Sequence, residues 1–238
     1  MIRWFGAAMA LSLLPFFEFF RSDNPYHLAA IKQLEDELPE NLLAEDAAWF
    51  EAWKESGIAQ QVYIPYVHQL DFEEDGFRRC FDAAASMVAM MAGRVRTADQ
   101  YAAIRKKHGD TTEVKAHIAA LTKLRLAPEF RTDGDAEALE AEIASGRPVL
   151  VGWLHRGDLS KGEPPMCSEE GCGHWSVIVG FNKENFVMMD PRGTPDLLRG
   201  GHYGRHGGKN IEVSRKLFNE RWQADGPSTG WMILIEPD

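Results

Sequence analysis

The chain has 238 residues, 45% apolar, 11% aromatic and 26% charged, enough for one globular domain with an appendage and a substantial core. Its formal net charge of −10 excludes a general affinity for nucleic acid or anionic lipid. Three cysteines in this length exclude a disulfide scaffold. The opening stretch, MIRWFGAAMALSLLPFFEFF, is the compositional outlier: Arg3 precedes an apolar run that Pro15 and Glu18 interrupt. The run is too short and broken for a good transmembrane helix, and no small-residue cleavage site follows it. Residues 1–20 therefore admit three readings: an anchor or docking segment, a signal peptide, or a helix packed on its own domain.

Residues 21–58 read as a helical extension. One helix starts at Asn24 and Pro25 and stops at Pro39, and a second ends at Gly57 with Trp49, Phe50 and Trp53 on one face. That face either docks on the core or binds a partner. The composition changes at residue 61, and residues 59–238 read as one domain. QVYIPYVHQ predicts an edge or irregular strand, because Pro65 cannot donate to a ladder. Residues 81–92 predict a helix with Ala84, Met87, Val88 and Met91 on one face and Gly93 closing it. Two more helices follow, one capped by Thr97, the other by Thr111 or Thr112. APEFRT predicts a strand, and DAEALEAEIASG a fourth helix ending at Gly146. The chain then turns β: RPVLVGWLH, a hairpin HWSVIVGF–NKEN–FVMMDP, GKNIEVS and GWMILIEP, with a short helix SRKLFNERW before the last. Helices first and strands second predict an α+β fold.

Cys80 stands where the 81–92 helix begins. Unpaired N–H groups and the positive end of the helix dipole stabilise a thiolate there, although a free cysteine is also a common buried apolar residue. A nucleophilic cysteine needs a base, and the base needs an orienter. The hairpin offers both, His174 opening its first strand and Asp190 closing its second. A turn at Asn182–Asn185 pairs Asp190 with residue 177 and leaves His174 diagonal to it; a slip or bulge brings the two closer. Gln69, eleven residues before Cys80, offers an amide N–H for an oxyanion. Each residue also fits a plainer role: His174 a core histidine, Asp190 a turn residue before Pro191, Gln69 loop polarity. His68 reads as surface.

The set YIPYVHQLDFEEDGFRRCFDAAASMVAMMAG, GRPVLVGW and GHWSVIVGFNKENFVMMDPRG resembles the bacteriocin-processing-type cysteine peptidases, a papain-like family, and more closely its peptidase-like modules in bacteria and phages. The resemblance covers about residues 61–235 and implies Cys80 as nucleophile, His174 as base, Asp190 as orienter and Gln69 as oxyanion donor. It implies a papain-like cysteine peptidase or amidase acting on peptide bonds, with no metal or cofactor. Many family members sit in transporters and cut after a double glycine, and this sequence carries no transporter segments. Trp153, Trp175 and the Gly200–Gly208 loop are candidate cleft walls. Cys167 and Cys172 read as a local disulfide, two free thiols, or redox or metal ligands, and His202 and His206 as loop or cleft residues, or as metal ligands. Peptidoglycan peptides or a partner protein are the candidate substrates, with a membrane or virion partner possible through residues 1–20. An envelope, extracellular or virion setting is favoured over the free cytoplasm. The competing reading is a structural or docking component of a phage particle.

Overall fold

The computed structural model describes residues 60–72, 76–166, 173–204 and 206–237. The segment 1–20, the extension 21–58, and Cys167 with Cys172 lie outside the described residues. Among the described residues no helix is long and apolar enough to cross a membrane.

Helices precede strands, as the sequence pattern predicts. After a two-residue strand β1 (Gln60–Gln61) come α1 (Cys80–Met91), α2 (Ala98–Arg105) and α3 (Val114–Lys123). The second half holds β2 (Leu126–Gly134), α4 (Ala136–Ala144), β3 (Val149–Leu154), β4 (Gly173–Phe181), β5 (Asn185–Met189), β6 (Ile211–Ser214), α5 (Arg215–Trp222) and β7 (Gly230–Pro237). The strands form one antiparallel sheet in the order β2–β7–β3–β4–β5–β6, with β1 beside the end of β4. Alternation along the central strands covers both faces. Trp175 of β4 stacks on Phe81 of α1 at 3.9 Å, while Trp153 of β3 meets Phe218 of α5 edge-on at 6.3 Å.

Local signals explain where the helices begin and end. Thr97 accepts the Gln100 N–H at 3.2 Å, and Asp135 accepts that of Ala138 at 2.9 Å. Gly93, at φ 65°, ends α1: its N–H reaches Met90 O and the Arg94 N–H reaches Ala89 O, both at 2.9 Å. Three expectations need correction. The 61–69 strand is confined to Gln60–Gln61; the chain then runs without regular structure into a 3-10 turn, Gln69–Asp71, capped by the His68 ring. Helix α1 is buried all round from Phe81 to Ala89, because helices and sheet enclose it, and so it shows no single apolar face. Helix α3 takes Glu113 as its N-cap residue, with no side-chain cap, because Thr111 donates to Asp82 at 2.9 Å and Thr112 to Asp110 at 2.7 Å.

Asp82, in the first turn of α1, is the centre of a buried network. Its carboxylate accepts from Arg105 Nε at 2.8 Å and a second Arg105 nitrogen at 2.6 Å, and from Arg79 at 2.7 Å. Behind it His117 donates Nε2–H to Thr111 O at 2.8 Å, so its Nδ1 accepts from the Tyr101 hydroxyl at 2.9 Å. The network fixes the start of α1 against α2 and α3. A second buried cation, Arg221 of α5, donates to the carbonyls of Leu154, Arg156, Gly157 and Leu197. It clamps the segment after β3 to the loop after β5.

Candidate active site

A one-residue irregularity in β4 sets the site. Out of the turn the hairpin pairs Phe181 with Phe186 and Gly180 with Val187; past the shift it pairs Ile178 with Met188 and Val177 with Met189. The extra residue, Val179, is a bulge. Continued one step, the new register sets Asp190 across from Ser176 rather than residue 177. Residues 174 and 176 share a face, so the bulge turns Asp190 toward His174. His174 Nε2 lies 3.0 Å from both carboxylate oxygens of Asp190. The Cys80 thiol at the start of α1 neighbours His174 and helps to favour its protonation, and with Nε2 on Asp190, Nδ1 is the nitrogen left for the thiol. Cys80 is a free cysteine at intermediate exposure, whereas His174 and Asp190 are buried.

The electrostatics follow from this burial. For His174, burial is the largest influence and opposes protonation, but the charge and hydrogen bond of Asp190, with the neighbouring Cys80 thiol, push it up to about 10. For Asp190, burial opposes ionisation, yet His174 and then His202 hold its carboxyl well below the usual carboxylate range. Asp190 is held from every side. Ser176 Oγ donates to Oδ2 at 2.9 Å, the Arg192 N–H to Oδ1 at 2.8 Å, and His202 Nε2 lies 3.1 Å from Oδ1. Trp153 Nε1 in turn donates to Ser176 Oγ at 2.9 Å. The Asp190 backbone is pinned as well, its N–H to Gly208 O at 2.8 Å and its carbonyl to the Tyr66 hydroxyl at 2.9 Å.

Gly208 allows that approach. A Cβ on it would sit 2.1 Å from Asp190 O and 2.4 Å from Tyr66 Oη. Gly208→Ala is therefore expected to lower stability by roughly 1–3 kcal/mol through overpacking. A thermal melt checks it; an unchanged midpoint would mean the loop moves aside without cost.

Gln69 is buried against the helix start. Its Nε2 donates to Phe77 O at 3.3 Å and its Oε1 has no partner among the described residues. The Gln69 N–H, bonded to Pro191 O at 2.8 Å, ties this turn to the Asp190 loop. Trp153 and Trp175, expected on the cleft walls, are buried at 2% and 7% exposure and pack around the histidine strand. His202 belongs with Asp190, while His206 is exposed in the same loop. Ser176, His155 and the bond from His202 to Asp190 are what sequence reasoning missed. The alternation His174–x–Ser176 was the available signal for the first; the others depend on loop paths with no local signature. Burial, then the charges of His174 and His202, push His155 down to about 3, and burial also holds His202 below its ordinary value. His174, Asp190 and His202 have donor atoms within 4.8 Å of one another, close enough to converge on a metal ion. His174 and His202 both bond to Asp190, so the carboxylate has its partners without one.

A cysteine opening a buried helix, with a histidine and an aspartate on the following antiparallel strands, defines the papain-like class of cysteine peptidases. The chain belongs to the Peptidase_C39 like family, whose family model matches residues 61–228, more than half its length. Its fold is shared by a putative C39-like peptidase from Bacillus anthracis, at 16% identity over 75% of this chain and 98% of that one, with a TM-score of 0.51. The chain is also similar to a double glycine motif protease from an AMS/PCAT transporter, solved with its leader peptide (15% identity, 76% and 96% covered, TM-score 0.46). A further similar structure is the peptidase domain of Streptococcus ComA, a bifunctional ABC transporter of a quorum-sensing pathway (16% identity, 75% and 98% covered, TM-score 0.44). No curated protein matches the chain.

Proposed function

We propose that this peptidase works through Cys80 as nucleophile, His174 as general base and acid, Asp190 as the residue that orients His174, and Gln69 as an oxyanion donor. The observation that carries the reading is His174, 3.0 Å from both oxygens of Asp190, with the Cys80 thiol as its other neighbour. Asp190 is acceptor-only, so it fixes the proton on Nε2 and leaves Nδ1 to take the thiol proton. The thiolate attacks the peptide carbonyl, and a C–S bond forms as the carbonyl π electrons move to oxygen. The Cys80 N–H, in the first turn and without an intrahelical partner, and the Gln69 amide donate to that oxyanion. Gln69 exchanges its long bond to Phe77 O for this one. The C–N bond then breaks as His174 passes its proton to the leaving amine. Water, deprotonated by His174, hydrolyses the thioester and restores the thiol. The substrate is a peptide, and peptidoglycan peptides and partner proteins are the classes to screen first.

The test is the pH dependence of Cys80 alkylation by iodoacetamide, mapped by mass spectrometry. In the wild type, alkylation is expected to persist well into acid, because the protonated His174 stabilises the thiolate. His174→Ala is expected to lose this low-pH limb. A wild type that follows an ordinary free thiol, with a midpoint of about 8.5, or a mutant that keeps the limb, rules the pair out.

A further inference from the structure

A pocket of about 170 Å³ lies beside the site, lined by Gln69, Leu70, Phe77, Arg192, His202 and Gly204. It has room for one amino-acid side chain. Two of its lining side chains each keep one unspent polar atom. Gln69 Oε1 and His202 Nδ1 are both buried and have no hydrogen-bond partner among the described residues. The His202 side chain is 3% exposed, and its tautomer is fixed: Nε2 faces an acceptor-only carboxylate, so it carries the proton and Nδ1 offers a lone pair. Gln69 is in the matching state, since an amide that donates Nε2–H to an oxyanion leaves Oε1 as an acceptor. Two buried acceptors without donors are costly unless a ligand supplies N–H groups.

Arg192 adds the opposite polarity. It is half-buried, and among the described residues its guanidinium meets no carboxylate or carbonyl; only its backbone N–H is engaged, on Asp190. Arg79 and Arg105, by contrast, share the Asp82 carboxylate. Asp190, the nearby carboxylate, is fully buried and already satisfied by His174, His202, Ser176 and the Arg192 N–H. In a chain of formal net charge −10 a cation at the cleft with no carboxylate partner among the described residues is a local feature, not part of a general basic surface.

We infer that this pocket is a subsite for a carboxylate-bearing residue of the peptide substrate, an inference that rests on the Cys80–His174 reading above. Arg192 takes the carboxylate in charge-assisted hydrogen bonds. Gln69 Oε1 and His202 Nδ1 accept N–H groups of the same residue, and Phe77 and Leu70 cover its aliphatic stem. The carboxylate belongs either to an acidic side chain or to a free main-chain terminus; the chemistry at Arg192 is the same.

The experiment uses three alkylating probes of one skeleton on the full chain. N-bromoacetyl-glutamic acid amide carries a side-chain carboxylate, N-bromoacetyl-glutamine a main-chain carboxylate, and N-bromoacetyl-glutamine amide neither. The rate of each at Cys80 is read by mass spectrometry. One acidic probe is expected to outpace the neutral one by about tenfold, the effect of one charge-assisted contact. The advantage should vanish in Arg192→Gln and shrink with added salt. Taking the ratio within each protein cancels any general change in thiol reactivity. The faster acidic probe identifies the source of the carboxylate. Equal rates for all three in the wild type, or an advantage that survives Arg192→Gln, overturn the subsite. The neutral probe separately reports on the thiolate. If its rate ignores His174→Ala while the acidic advantage still needs Arg192, the subsite stands and the peptidase reading falls.

Discussion

Asp190→Asn is expected to lower kcat/KM by about 10⁴ while leaving the fold intact. The substitution barely changes shape, but it reverses the chemistry at one atom. The carboxylate now accepts from His174 Nε2 at 3.0 Å. An asparagine amide can face Nε2 with its NH₂ group, and two donors cannot share that contact. The imidazole then moves its proton to Nδ1, the nitrogen facing Cys80, and can no longer accept the thiol proton. The amide also cannot match the charge that holds His174 protonated up to about 10. Cleavage of a peptide found by library screening, with a melting curve alongside, makes the measurement. A loss smaller than tenfold in a folded variant would remove Asp190 from the mechanism.

The second large effect is on stability. Asp82→Ala removes the carboxylate that neutralises Arg105, whose side chain is 4% exposed, and Arg79 beside it. A buried charge left without its partner costs about 3–5 kcal/mol, a fall of roughly 10 °C in Tm for a domain of this size. The pH dependence gives an internal check. Burial raises the Asp82 carboxyl, but hydrogen bonds from Arg105 and Arg79 override it and hold the group below its ordinary value. A depressed carboxyl contributes stability that is present above the unfolded value of about 3.9 and lost as pH falls through the folded one. The gap between wild type and variant should therefore narrow in acid. A gap below about 1 kcal/mol, or one that does not change with pH, means the network is dispensable. Pairing Asp82→Leu with Arg105→Met should recover much of the loss, because the more buried of the two arginine charges is then removed together with its partner.

Much of the frame was legible because its signals are local. Thr97, Gly93 and Gly146 each act within four residues of their own position, so a linear reading finds them. The ordered set Gln69, Cys80, His174 and Asp190 was legible because each stands at the end of a readable element. The alternation of β4 put Trp175 and His174 on opposite faces but could not show that helices cover both faces; hence Trp153 and Trp175 were expected at the cleft and are buried. The Asp82 network was not legible, since its partners lie up to 35 residues away and nothing local marks Asp82, in the first helical turn, as more than a helix-start acid. Nor was the bond from His202 to Asp190. It depends on the path of a glycine-rich loop held by Gly208, and such a loop follows the packing around it rather than its own propensity.

The bulge at Val179 gives the hairpin a parity. His174 and Asp190 face each other only because one strand carries one residue more than its partner between the turn and the site. Adding or removing a single residue between them, other than one that cancels the bulge itself, inverts the alternation and sends one member of the pair to the opposite face. Two residues together restore it. Outside the bulge, length changes compatible with a working pair should therefore come in twos across residues 175–189, and a single deletion there should give a sheet that still folds around a histidine facing the wrong way.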